Sequence, residues 1–273
     1  MQPHLVDRGL VDRIWEEAAL PALADYTRIP CLSPAFDPDW EPAGHMARAA
    51  GLLAAWCADR PVPGSAVEIV ERPGLTPVLL VEAEGTAPGS VLVYGHMDKQ
   101  PPQGTWHDGL GPYEPVRDGD RLYGRGTGDD GYAVFAAMAA LEALASQGAP
   151  RPRVTVLIEA SEESGSSDLP EHLDALAGRL GRPDLVVGLD SGCLTYDRLW
   201  CTSSLRGNLV LTVRVDVLTE GVHSGLAGGV VPSSFRILRQ LLSRVEDERT
   251  GAVLLPELRA EVPAAHRAAL EAV

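Results

Sequence analysis

Two short polar clusters follow apolar runs in this chain. His96-Met97-Asp98 comes after the run from Ser90 to Val93, and Glu162-Glu163-Ser164-Gly165-Ser166 comes after Val154 to Ile158. Open α/β sheets carry their reactive groups outside the carboxyl ends of their strands, so both clusters fall where chemistry is expected. Between them runs Gly124-Arg125-Gly126-Thr127-Gly128-Asp129-Asp130-Gly131, and beyond them Val186-Val187-Gly188-Leu189 leads into Asp190. One imidazole with several carboxylates, gathered at sheet ends, is the donor chemistry of a hydrolytic metal site.

Residues i and i+2 of a strand face the same side, so His96 and Asp98 project together. A ligating imidazole needs an acceptor for its other ring N–H, and an outer carboxylate can steer it. Asp129-Asp130 opens a helix, where the positive end of the dipole tolerates adjacent carboxylates. Glu162 and Glu163 diverge at a strand end, so one can hold a cation while the other faces a reacting water. Each feature has an ordinary use when taken singly: a surface pair, a helix N-cap, a charged turn. Their combination in one chain points to a metal centre.

The elements that must position these groups alternate between helix and strand. Leu5 to Tyr26 has helical periodicity and ends near the Pro-rich turn from Pro30 to Pro42. Ala43 to Asp59 reads as a second helix, stopped by Pro61 and Pro63. Strands are expected at Ala66 to Glu71, at Pro77 to Glu82 and leading into His96, followed by a long functional loop from Met97 to Asp120. Tyr132 to Ser146 is an Ala-rich helix, and further strands end at Ile158 and Leu189. From Gly207 the pattern changes. Asn208 to Val217 alternates as a half-exposed antiparallel strand would, and Ser233 to Val245 is an amphipathic helix. The expectation is an α/β domain over residues 1–204 and a second domain over 205–273.

The chain has 273 residues, 45% of them hydrophobic, enough for a large core. Its 23 basic and 38 acidic side chains give a net charge of −15, which argues against nucleic-acid and anionic-membrane partners. Asp7, Asp12 and Glu16 interrupt any signal peptide, and the most apolar helix is too short to cross a bilayer. Cys31, Cys57, Cys193 and Cys201 lack C-x-x-C spacing. They read as reduced, mostly buried thiols of a cytoplasmic protein. The G-x-G pattern does not read as a dinucleotide site, because Asp129 and Asp130 stand where pyrophosphate would sit.

The order H-x-D, G-R-G-x-x-D-D, E-E-S-G-S and a strand ending in Asp resembles the di-zinc peptidase family of carnosine dipeptidases, aminoacylases, acetylornithine deacetylases and glutamate carboxypeptidases. The likeness covers nearly the whole chain, including Tyr26-Thr27-Arg28-Ile29-Pro30 and Leu122-Tyr123-Gly124-Arg125-Gly126. Glu162 to Ser166 and Gln100-Pro101-Pro102 lean toward its dipeptidase branch. The resemblance implies an αβα sandwich around a mostly parallel sheet, and the start of an α+β lid or dimerisation domain. It implies that His96 and Asp190 bind one metal, that Glu163 binds another and that Asp129 bridges both. Asp98 would orient His96, Glu162 would be the general base, and Asp130 would be a neighbour without a ligand role. His223, in Gly221-Val222-His223-Ser224-Gly225, would reach the partner subunit's site and polarise the scissile carbonyl. The implied cofactors are two divalent ions, Zn2+ foremost, with Mn2+ or Co2+ as alternatives. Against their four positive charges stand the carboxylates of Asp129, Glu163 and Asp190, so one hydroxide brings the cluster close to neutrality. The implied partners are a small peptide or N-acyl amino acid as substrate and a second copy of the chain, docked through the lid.

The chain departs from that family in two places. Gly131-Tyr132 stands where the family has Lys-Gly, and the family's fifth ligand is a His near the end of a much longer chain. The expectation is therefore a chain incomplete at its C-terminus, with the site of Asp129 and Glu163 the weaker one. His266 reads as a surface helix residue and not as a ligand. Two functions from different classes follow. The first is a hydrolase that cleaves a peptide or amide bond of a dipeptide or N-acyl amino acid with a metal-bridging water. The alternative is a truncated, catalytically impaired homologue that keeps one metal site and a dimerisation surface.

Overall fold

The computed structural model describes residues 6–202 and 204–271. The chain divides into two compact units, Met1–Ser203 and Ser204–Val273.

The first unit opens with α1 (Arg8–Ile14), a π-turn (Trp15–Ala19) and α2 (Leu20–Thr27) in continuous succession. Together they form the helix expected from Leu5 to Tyr26, although Leu5 lies outside the described residues. The short α3 (Trp40–Ala43) leads into α4 (His45–Ala58), whose buried Met46, Ala49, Ala50, Leu53 and Cys57 follow the helical repeat. Next come β1 (Ser65–Val70), β2 (Val78–Ala83) and β3 (Ser90–His96). The long loop after His96 contains a small hairpin, β4 (Val116–Asp118) with β5 (Arg121–Tyr123), that the sequence pattern did not announce. Then α5 (Tyr132–Ser146) leads to β6 (Arg153–Glu159), and α6 (Leu169–Leu180) leads to β7 (Leu185–Gly188).

Five strands form one sheet in the order β1-β2-β6-β3-β7. β3 runs parallel to both neighbours, and β2 is antiparallel to both of its own. Four strands thus point one way and β2 alone is reversed, a mostly parallel α/β sheet. Both faces are covered, which explains why β2 and β6 read as nearly continuous apolar runs. On one face Leu79, Val81, Val156 and Ile158 pack with Leu23 of α2, Leu53 of α4 and Met138 of α5. On the other, Val78, Leu80 and Leu157 pack under Leu176 of α6. The crossovers α5 and α6 therefore lie on opposite faces, and the strands they deliver flank β3 on both sides. That arrangement opens a crevice at the carboxyl end of β3.

Lys99, just past that end, is fully buried. Its ammonium donates to the carbonyls of Tyr26, Thr27 and Ile29 at 3.0, 3.2 and 2.8 Å and lies 4.1 Å from the centre of the Tyr26 ring. A buried cation must replace its lost hydration with such acceptors, and burial still pulls this amine down to about 8.

The second unit contains α7 (Ser224–Ala227), α8 (Ser234–Leu242), a 3₁₀ turn (Pro256–Leu258) and α9 (Ala264–Glu271). The amphipathic helix expected from Ser233 to Val245 is α8. The strand expected from Asn208 to Val217 does not form. Alternation becomes a strand only where a second strand supplies a ladder, and the described residues of this unit hold only the isolated bridge Glu246–Val253. Among the described residues no helix is long and apolar enough to cross a membrane.

Replacing Lys99 by Met keeps the packed stem and leaves three carbonyls without their donor. The expected cost is about 2–4 kcal/mol, read as a lower urea midpoint with an unchanged slope. An unchanged midpoint would mean that those carbonyls find other partners.

Candidate metal centre

β3 lies between β6 and β7, and parallel pairing brings the three carboxyl ends side by side. His96 pairs with Glu159 in register, and the Leu189 N–H donates to the Tyr94 carbonyl at 3.0 Å. The start of α5 sits over the same edge, because the Asp130 carboxylate accepts the His96 backbone N–H at 3.0 Å. This approach is possible only because residue 95 is glycine. A Cβ there would come 2.5 Å from Asp130 Oδ2 and 2.6 Å from Ala133 Cβ.

The His96 ring is buried. Its Nδ1 lies 3.1 Å from the Asp98 carbonyl oxygen and 3.4 Å from Asp98 Oδ1, so the ring N–H is assigned to Nδ1. Nε2 then faces Asp129 Oδ1 at 3.1 Å and Glu162 Oε2 and Asp190 Oδ2 at 3.9 Å each. A lone pair turned toward three carboxylates is repulsive unless a proton or a metal cation stands among them. Burial opposes charge on the ring, yet the hydrogen bonds to Asp129 and Asp98 prevail and raise it to about 11. The same contact holds the Asp129 carboxyl below its ordinary range. The donor set thus fits a cation. His96, Asp129 and Asp190 form one group able to hold a metal ion, and His96, Glu162 and Glu163 form another, with ligand atoms within 4.8 Å of one another in each.

Asp98 sits behind both groups. Fully buried, it accepts the backbone N–H of Glu162 at 3.1 Å and of Glu163 at 2.9 Å, fixing the 3₁₀ turn Glu162–Ser164. The amide of Gln100 donates to Glu163 Oε2 at 2.6 Å, and Ser33 and Ser164 share a hydrogen bond at 2.5 Å. Burial raises the carboxyls of both Glu162 and Glu163, with their acidic neighbours acting in the same direction.

Of the residues singled out from sequence, His96, Asp129, Glu162, Glu163 and Asp190 come together, and Asp98 lies directly behind His96. His223 belongs to the second unit, where it caps α7 and its Nδ1 accepts the Gly225 N–H at 3.1 Å. His266 lies on α9 of that unit. Sequence reasoning missed the part played by Asp130, whose burial pushes its carboxyl up to about 7 while one oxygen holds the His96 backbone. It also missed the link from Gln100 to Glu163. A glycine immediately before a strand-end histidine was the available signal for the first.

Residues 92–223 match the model of peptidase family M20/M25/M40. The chain is similar to the human Beta-Ala-His dipeptidase, with 31% identity over 194 residues, 69% of this chain and 38% of that protein. It is also similar to the cysteinylglycine-S-conjugate dipeptidase of Corynebacterium striatum, with 34% identity over 61% of this chain and 36% of that protein. The matched chain thus spans under two fifths of the length of these curated relatives. In fold it resembles the M20 family metallo-carboxypeptidase of Sulfolobus solfataricus, with a TM-score of 0.70 at 22% identity over 93% of this chain and 56% of that one. Human carnosine dipeptidase 1 aligns with a TM-score of 0.62 at 23% identity over 97% of this chain and 58% of that one.

Gly95→Ala should force Asp130 and the start of α5 away from β3. The expected loss is about 1–3 kcal/mol, the range of overpacking in a filled interior, read as a lower melting temperature. A variant that melts with the parent would show that the α5 start yields without cost.

Proposed function

The chain belongs to peptidase family M20/M25/M40, and on that premise we propose that it is a metal-dependent hydrolase of dipeptides, acting on the C–N bond. The observation that carries this reading is the position of His96 Nε2, facing Asp129, Glu162 and Asp190 while Nδ1 is anchored on Asp98. In it, His96, Asp129 and Asp190 hold one divalent ion, and Asp129 and Glu163 hold a second. Zinc is the foremost candidate, with Mn2+ or Co2+ as alternatives. When bound, these ions supply Lewis acidity toward the scissile carbonyl and ionise water near neutral pH.

The side chains do the rest. Asp98 fixes the ring of His96 and the turn that carries Glu162. Glu162, half-buried with a raised carboxyl, takes a proton from the attacking water. The water oxygen joins the carbonyl carbon, the C–N bond breaks, and the proton passes from Glu162 to the leaving nitrogen. Asp130 and Gln100 hold His96 and Glu163 in place and exchange no proton.

Residues 1–204 are read as the catalytic domain and 205–273 as part of a lid through which two copies pair, with His223 polarising the carbonyl in the partner's site. A dipeptide is preferred over an N-acyl amino acid because the relatives named above are dipeptidases. The four cysteines are free thiols, which supports a cytoplasmic setting.

Zinc titration and turnover of β-alanyl-histidine and cysteinyl-glycine test this reading. Glu162→Gln should keep its zinc and lose about 10²–10⁴-fold in turnover, whereas Glu163→Gln should lose zinc. Loss of zinc in the Glu162 variant would mean that the two roles are exchanged. A parent chain that binds one zinc or none and cleaves neither peptide would instead be the impaired homologue.

A further inference from the structure

We infer that Tyr132 is a positioning residue that fixes Asp190 relative to Asp129. Tyr132 is the first residue of α5, three positions after Asp129, and its hydroxyl donates to the backbone carbonyl of Leu189, the residue before Asp190. One hydroxyl therefore ties the two segments whose carboxylates face His96 Nε2 at 3.1 and 3.9 Å. A phenol keeps its proton at neutral pH and remains a donor there.

Among the described residues the other tie next to Asp190 is the hydroxyl contact of Ser191 with Thr202 at 2.8 Å, between two exposed side chains. β7 is the edge strand, paired with β3 alone, and its ladder ends at the Leu189 N–H. The Ser191 N–H turns back on the same Leu189 carbonyl at 2.8 Å, so that carbonyl gathers the hydroxyl and the turn at one point. The Asp190 side chain is 38% exposed, so packing does not orient it. Tyr132 and Leu189 both lie partly buried against the main core, which anchors the tie at each end. Without the hydroxyl, the Leu189–Ser191 turn loses its link to the start of α5, three residues past Asp129, and the spacing of the two carboxylates relaxes.

This inference rests on the metal reading of the site. Its test is calorimetric titration of the full chain with zinc, comparing the parent, Tyr132→Phe, Asp190→Asn and the double variant. Tyr132→Phe should bind zinc about 10-fold more weakly, the lower end of what loss of an outer partner costs, and should melt close to the parent. In the Asp190→Asn background the same change should have no further effect, because the carboxylate it positions is gone. Unchanged zinc affinity in Tyr132→Phe overturns the inference, and so does an equal loss in the Asp190→Asn background, which would mark a general effect on the fold. A parent that takes up no zinc overturns the metal reading and this inference with it.

Discussion

Everything at the sheet edge is organised by one constraint: a buried imidazole whose outward nitrogen faces acidic oxygens. His96 cannot present Nε2 to Asp129, Glu162 and Asp190 without a positive charge among them, and it cannot turn away because Nδ1 is held by Asp98. The surroundings supply rigidity and negative charge. The side chains of Asp129 and Asp190 are about half exposed, whereas Asp98 and Asp130 are buried. Carboxylates behind the ring hold it, and carboxylates in front remain open to a cation from solvent.

Buried acids are costly unless backbone or side-chain donors meet them. Asp98 meets two backbone N–H groups of the Glu162–Glu163 turn as well as the edge of the His96 ring. One side chain therefore sets the direction of the histidine and of the turn carrying both glutamates. Asp130 does the equivalent between β3 and α5 through the His96 N–H. The site is assembled from pairs of elements, each joined by a single carboxylate, and this is why its geometry is sensitive to the small residue at position 95.

Local patterns reveal those parts of the molecule whose cause is local. The helix from Tyr132 to Ser146 is legible because its composition and its bounding glycines lie in its own sequence, and β3 and β6 are legible because burial on both faces demands an apolar run. The helix α6 escaped notice: only His172 and Leu176 along it are buried, so its apolar stripe is thin. Asn208 to Val217 has the alternation of a strand and, among the described residues, no partner strand with which to make one. In the site, the convergence of His96 with Asp129, Glu162, Glu163 and Asp190 could be anticipated from strand ends. The bonds from Gln100 to Glu163 and from Tyr132 to Leu189 could not, because each joins segments more than fifty positions apart and neither residue type announces its partner.

The same long-range logic makes the fold's stability and the site's geometry a single property. The Tyr26 ring, fully buried at the end of α2, packs under Gly131, where any Cβ would collide with it, and its hydroxyl donates to the Met97 carbonyl at 2.7 Å. The Lys99 ammonium lies on that ring and binds the carbonyls of the turn that follows it. The end of the first helical segment thereby locates both the residues just past His96 and the glycine just past Asp130. Movement of α2 would shift Asp129 and Asp98 together. A cation binding among the carboxylates would in turn be expected to stabilise a region reaching from the sheet edge to α2, because those elements share one packed contact rather than a chain of loose ones.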